Sequence, residues 1–77
     1  MKLSSLKQGN RAKVTEIELK SNVKRELEQI GLTEGVSVTV VRYAGFNGPI
    51  EIMVRGFYLA LRLADADKIT VKRLDTE

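Results

Sequence analysis

The chain has 77 residues, which favours one domain spanning residues 1–77, and its 43% apolar and 30% charged residues are typical of a folded soluble protein. It contains no cysteine and no histidine, which excludes a disulfide framework, a thiolate metal site and the commonest general base. The net charge of +3 is uneven, because the first 25 residues carry seven basic and two acidic side chains.

No apolar run of the sequence reaches the roughly 18 residues that a membrane-spanning helix needs. The N-terminal residues also lack the apolar segment of a secretory signal. We therefore expect a cytoplasmic protein without a membrane span.

The N-terminal part of the chain predicts a turn followed by a strand. Leu3 and Leu6 lie three residues apart and precede a turn signal at residues 7–10. Residues 11–19 alternate imperfectly, since their apolar positions change parity partway along the run. A parity change within a strand indicates a bulge, which we expect near residues 15–16.

A short amphipathic helix follows this strand. Val23, Leu27 and Ile30 recur at the i, i+4 and i+7 spacing that places them on one helical face. Ser21 or Asn22 is the expected N-cap, because either side chain can accept a hydrogen bond from an amide of the first turn.

The stretch from Gly31 to Val36 ends the helix and starts the sheet. Gly31 can adopt the left-handed conformation that ends a helix, and Leu32 is then placed to fold back onto the apolar face. Gly35 is the expected positive-φ position of the turn before the next strand.

The second half of the chain predicts four strands joined by short connections. Apolar and polar residues alternate along the runs, and turn-forming residues separate them. Five short strands with one or two short helices predict an all-β barrel or sandwich, and a closed barrel is favoured because it leaves little unpaired edge. The predicted elements are a strand at 36–42, a hairpin loop at 43–49, a strand at 50–54, a tight turn at 55–56, a strand at 57–63, one helical turn at 64–68, a strand at 69–72 and a tail at 75–77.

Four ordered motifs carry a family resemblance. They are L-x-x-L-x-x-G at residues 3–9, L-x-x-I-G-L-x-x-G at 27–35, V-x-G-x-x-L-A-L-R at 54–62 and A-x-x-I-x-V at 66–71. With these motifs the chain resembles the FeoA family, small cytoplasmic proteins of bacterial ferrous-iron transport, over residues 3–73. The resemblance implies a small SH3-like five-stranded barrel that is not an enzyme. It also implies an accessory role for FeoB, the membrane permease with a cytoplasmic GTPase domain.

The aromatic side chains are candidates for contact with such a partner. Tyr43, Phe46, Phe57 and Tyr58 are all the aromatic residues of the chain, and they lie at the ends of the central hairpins. If the strand alternates, one of Phe57 and Tyr58 points outward. Packing at the end of the barrel is the simpler interpretation. The functional hypothesis is a groove for a FeoB segment, formed by Tyr43, Phe46, Met53 and the outward member of the pair.

Basic side chains near the first strand and the helix are a second candidate surface. Lys13, Lys20, Lys24 and Arg25 could contact an acidic face of the GTPase domain or the anionic inner leaflet. A solvated surface of mixed charge is the simpler interpretation. Nucleic acid is not the expected partner, because basic and aromatic residues are not interleaved as in stacking surfaces.

The sequence indicates no catalytic, cofactor or metal site. Asp65 and Asp67 could contribute to a hard-cation site, but they lack the calcium-loop pattern, and a solvated surface is favoured. Ferrous iron prefers imidazole or carboxylate ligands in a facial set, and the chain has no histidine. No G-x-x-x-x-G-K-[ST] phosphate loop occurs, so any GTPase connection would come through the partner.

Two other functions stay open from the sequence. One is a nucleic-acid-binding SH3-like barrel, which would show steep salt dependence of binding. The other is a regulatory SH3-like domain that acts on an iron-dependent transcriptional repressor, since similar domains form the C-terminal part of such repressors. A weak homo-oligomer also stays open.

Overall fold

The structure is a computed structural model that describes residues 1–75. In chain order it contains a 3₁₀ turn at Leu3–Ser5, β1 at Arg11–Ile17, α1 at Ser21–Gln29, β2 at Ser37–Tyr43, β3 at Ile50–Val54, β4 at Phe57–Leu61, α2 at Leu63–Ala66 and β5 at Ile69–Arg73. The expected tail at 75–77 extends into residues 76–77, which lie outside the described part.

The five strands form one antiparallel sheet in the order β4-β3-β2-β1-β5. The predicted fold class, an all-β fold of five strands with one or two short helices, is confirmed. Within residues 1–75 no ladder joins β4 to β5, so the ring of hydrogen bonds that a fully closed barrel would have is incomplete. The sheet therefore has two edges.

The core begins with β1, whose buried side chains are Ala12, Val14 and Ile17. Their change of parity coincides with a register shift against β5 between Val14 and Glu16. The predicted bulge is confirmed, and it keeps apolar residues inside while the strand bends. The other side chains that are at most 1% exposed are Leu3, Leu32, Val38, Val40, Ile50, Ile52, Val54, Ala66 and Ile69.

Helix α1 ends in a Schellman motif centred on Gly31, which has a φ of 101°. The amide of Gly31 donates to the carbonyl of Glu28 (3.1 Å), and the amide of Leu32 donates to that of Leu27 (2.9 Å). Leu27 and Leu32 are both buried, as expected for the apolar contact that accompanies this motif. The predicted positive φ at Gly35 is also confirmed, at 95°.

Two details of the predicted helix are wrong. The N-cap is Lys20, without a side-chain capping bond, because Ser21 and Asn22 already belong to the first helical turn. Ile30 is the C-cap and is 46% exposed, since the backbone leaves the helix there before the side chain can join Leu27 in the core.

Two strands end earlier than predicted. β1 ends at Ile17 rather than at residue 19, and the amide of Glu18 then donates to the carbonyl of Lys68 (2.8 Å). β4 ends at Leu61 rather than at residue 63, because Leu63 belongs to α2 and its carbonyl accepts a helical hydrogen bond. The predicted helical turn at 64–68 therefore begins one residue earlier, at Leu63.

The predicted tight turn between β3 and β4 is confirmed. Val54 pairs with Phe57, and the two residues between them, Arg55 and Gly56, have φ values of 51° and 84°. Positive φ at both central positions defines the type I′ turn, whose twist matches that of the flanking strands. This turn fixes the register of the hairpin that forms the candidate site.

Candidate docking surface

An apolar groove of about 250 Å³ opens between the end of α1 and the β3–β4 hairpin. We call it the hairpin groove; its lining residues are Ile30, Val54, Phe57, Tyr58 and Leu59. Val54 is buried and Leu59 half-buried, whereas the other three are exposed. An exposed apolar surface of this kind commonly marks an interaction site.

The hairpin register places the two aromatic residues of β4 on opposite faces. Phe57 pairs with buried Val54 and lies on the core side, and Tyr58 pairs with Met53 on the outer side. Phe57 is nevertheless 66% exposed, because it stands at the end of the sheet, and Tyr58 is 70% exposed. The strand alternates as predicted, and Tyr58 is the member of the pair that points outward.

The other proposed groove residues lie apart from the hairpin groove. Tyr43 is half-buried, and its hydroxyl donates to the carbonyl of Leu6 (2.5 Å) and lies 3.0 Å from that of Ser4. Burial raises the pKa of the Tyr43 phenol above its ordinary value. Phe46 is 96% exposed in the loop between β2 and β3, and Met53 is 36% exposed beside Tyr58. The structure thus brings Met53, but neither Tyr43 nor Phe46, to the groove's border.

Arg55 borders the same surface and was not among the predicted site residues. A Cβ atom built on Gly31 would lie 2.8 Å from the Arg55 side-chain Cδ, so the arginine packs against the backbone that follows α1. No acidic side chain in the described range 1–75 forms an ion pair with it. The sequence signal that could have found it is an arginine in a two-residue hairpin turn, where asparagine or glycine is usual.

The predicted basic residues do not form one cluster. The Lys24 ammonium lies 3.7 Å from a carboxylate oxygen of Glu34, while Arg25 is exposed on α1. Lys20 lines a second cleft of about 500 Å³ that also contains acidic side chains. Lys13 lies on β1 directly opposite Lys72 of β5. This surface has mixed charge, and exposed ion pairs of this kind contribute little to stability.

The carboxylates considered for a cation site have other partners. Asp65 pairs with Arg62 (3.3 Å), and Asp67 accepts a hydrogen bond from the Ser4 hydroxyl. Within the described chain, no group of three or more acidic residues is arranged to hold a metal ion.

A five-stranded antiparallel sheet with two short helices and an apolar groove at one edge defines a small SH3-like domain. The chain belongs to the FeoA family: the model of the FeoA domain matches residues 1–73. This family is associated with ferrous-iron transport.

Solved structures from two organisms agree with this fold. The solution structure of the FeoA protein from Chlorobium tepidum is 40% identical, covers 100% of this chain and 73% of that one, and superposes with a TM-score of 0.95. The crystal structure of Stenotrophomonas maltophilia FeoA complexed with zinc, described as a prokaryotic SH3 domain protein, is 29% identical. It covers 94% of this chain and 89% of that one, with a TM-score of 0.78.

A curated relative is a fusion of two transport proteins. The Fe(2+) transport protein A/Fe(2+) transporter FeoB fusion protein of Porphyromonas gingivalis is 28% identical over 76 residues. The match covers 99% of this chain but only 9% of the fusion protein. In the described part of the present chain, no helix is both long and apolar enough to cross a membrane.

Proposed function

We propose that this chain is a cytoplasmic accessory protein of a bacterial ferrous-iron transport system and docks to a FeoB-type permease. The observation that carries the proposal is the hairpin groove, an apolar surface with two exposed aromatic side chains in a protein of the FeoA family. The fusion protein of Porphyromonas gingivalis supports the docking proposal, because joining two polypeptides in one chain gives each a high effective concentration near the other.

The proposed action is binding without chemistry. Phe57 and Tyr58 offer the large apolar contact area that typically dominates the binding energy of an interface. Docking would stabilise one state of the permease, or of its GTPase domain, to the extent that the chain binds that state more tightly than the others.

The test is a titration of the isotope-labelled chain with a full-length FeoB-type permease of the same organism in lipid nanodiscs, at physiological salt. Phe57→Ala should weaken binding by about tenfold or more, as expected for an aromatic anchor. Phe46→Ala is the matched control, because Phe46 is more exposed than Phe57 but lies outside the groove.

Two results would count against the proposal. Absence of binding by the wild-type chain would contradict docking itself. Binding that is lost in Phe46→Ala and retained in Phe57→Ala would contradict the assignment of docking to the hairpin groove.

A further inference from the structure

The outer edge of β4 carries unpaired backbone groups. In a two-residue hairpin the pairs Val54–Phe57 and Ile52–Leu59 exchange hydrogen bonds, and the residues between them do not. The amide and carbonyl groups of Tyr58 and Ala60 therefore point away from β3. β4 is the terminal strand of the sheet, and no other segment of residues 1–75 pairs with this edge.

This edge lacks the features that usually prevent strand pairing. Natural edge strands are commonly protected by charged side chains, proline or bulges. β4 has the sequence Phe-Tyr-Leu-Ala-Leu, without charge or proline, and its register against β3 is regular. The hairpin groove runs beside it and would receive apolar side chains of an added strand.

Arginine side chains flank β4 at both ends: Arg55 before it, and Arg62, which is paired with Asp65 (3.3 Å), after it. Arg55 adopts a φ of 51°, although a left-handed conformation costs a residue with a Cβ atom roughly 1–2 kcal/mol. An arginine in a strained turn position, without an ion-pair partner in the described chain, favours a role in binding an acidic group.

The same charges argue against a second copy of the chain as the occupant. If β4 paired with β4 of another copy about a twofold axis at Leu59, Arg55 of each copy would lie near Arg62 of the other. Asp65 is already paired with Arg62, so a second copy offers Arg55 no free carboxylate there, and no described residue at the ends of the paired strands favours self-association. An acidic segment has the complementary charge.

We propose that β4 binds an extended segment of the permease as a sixth strand, with apolar side chains in the hairpin groove and an acidic residue beside Arg55. This inference rests on the proposed docking function and specifies its geometry. Main-chain hydrogen bonds to Tyr58 and Ala60 supply part of the affinity, and the groove and Arg55 supply specificity.

Proline at position 60 tests the main-chain bonds. Ala60→Pro removes an amide that faces away from β3, so the hairpin ladder keeps its hydrogen bonds, as proline at an edge strand permits. Binding to the nanodisc-embedded permease should fall by about tenfold or more. Ala60→Val keeps the amide and should bind as the wild type does; equal binding by the proline and valine variants would overturn the inference.

Arg55 provides a second test that does not disturb the strand. Arg55→Glu should weaken binding by about tenfold or more, and Arg55→Lys by less, because lysine retains the charge but not the planar fork. Unchanged binding of the Arg55→Glu variant to the permease would overturn the inference, even if Ala60→Pro fails to fold. If both the proline and the glutamate variants bind the permease like the wild type, strand addition is rejected but the docking function is not. If the wild-type chain does not bind, the docking function itself is rejected.

Discussion

The β5 edge of the sheet is covered by the chain's own N-terminal residues, whereas the β4 edge is open. The amide of Val71 donates to the carbonyl of Met1 (2.8 Å), and Lys2 forms an antiparallel bridge with Thr70. The β4 edge has no such cover within residues 1–75. This difference agrees with the proposed strand addition, in which a partner would cover the β4 edge.

The N-terminal segment that covers the β5 edge is held in place by buried contacts. Leu3 is fully buried, and the Tyr43 hydroxyl holds the backbone of the same N-terminal segment. The apolar residues beside β4 are exposed instead, and their burial would come from binding. Substitutions in the two regions should therefore have different effects. Those at the β5 side should change stability, and those at the β4 side should change binding.

The largest expected effect is on the covered side. Leu3→Ala should lower the free energy of unfolding by about 2–5 kcal/mol, because it leaves a cavity beneath the segment that covers β5. Leu74→Ala is the matched control: Leu74 is 41% exposed, and its loss should change stability by less than about 0.5 kcal/mol. Denaturant unfolding measures both, and equal effects would contradict the assignment of Leu3 to the core.

Tyr43→Phe should have a smaller effect, about 1 kcal/mol at neutral pH, since it removes a hydroxyl bonded to the N-terminal segment. Burial raises the folded-state pKa of this phenol, so the unfolded chain loses the proton first as the pH rises. Its contribution to stability is thus present below the ordinary tyrosine pKa of about 10 and decreases above it.

Unfolding measured from pH 8 to 11 tests this pH dependence. The wild type should lose stability at the alkaline end more steeply than Tyr43→Phe. Parallel curves for the two proteins would show that the phenol does not titrate differently in the folded state.

Arg55→Asn, at the open β4 edge, should raise stability rather than lower it. Asparagine adopts the left-handed conformation more readily than arginine, so the variant should be more stable by about 0.5–1 kcal/mol. The same variant should bind the permease more weakly, because it loses the guanidinium. Thermal unfolding and a binding titration on one preparation measure both changes, and a gain in both would contradict the binding role of Arg55.

Asp75→Asn should have the smallest effect. The Arg73 side chain donates a hydrogen bond to Asp75 (2.9 Å), which lowers the pKa of this half-buried carboxyl. The stability that follows is present above the ordinary carboxyl pKa of about 4 and is lost as the pH falls through the folded-state value. The melting temperatures of wild type and variant should converge in acid; a difference that stays constant with pH would contradict this origin.

The elements set by local signals could be predicted from the sequence. The parity change in β1 marked the bulge, and Gly31 marked the end of α1. A second bulge lies in β2 between Val40 and Arg42, and the sequence gave no such signal for it. The residue between them, Val41, is apolar like Val40, so the alternation does not show which of the two side chains faces the core.

The site was only partly predictable. Phe57 and Tyr58 were evident as rare aromatic residues, and both line the hairpin groove. Ile30 and Arg55 were missed because their positions depend on how the chain after α1 packs against a hairpin more than twenty residues later. Contacts between segments so far apart leave no periodic pattern in the sequence.

The most direct test of the open-edge account is hydrogen exchange of the Tyr58 and Ala60 amides, measured residue by residue in the free chain and in the saturated complex with the permease. Both amides face outward and should exchange rapidly in the free chain, whereas those of Phe57, Leu59 and Leu61 are bonded to β3. Binding by strand addition should slow the Tyr58 and Ala60 amides by about tenfold or more. Unchanged exchange at these two positions in a saturated complex would contradict the account.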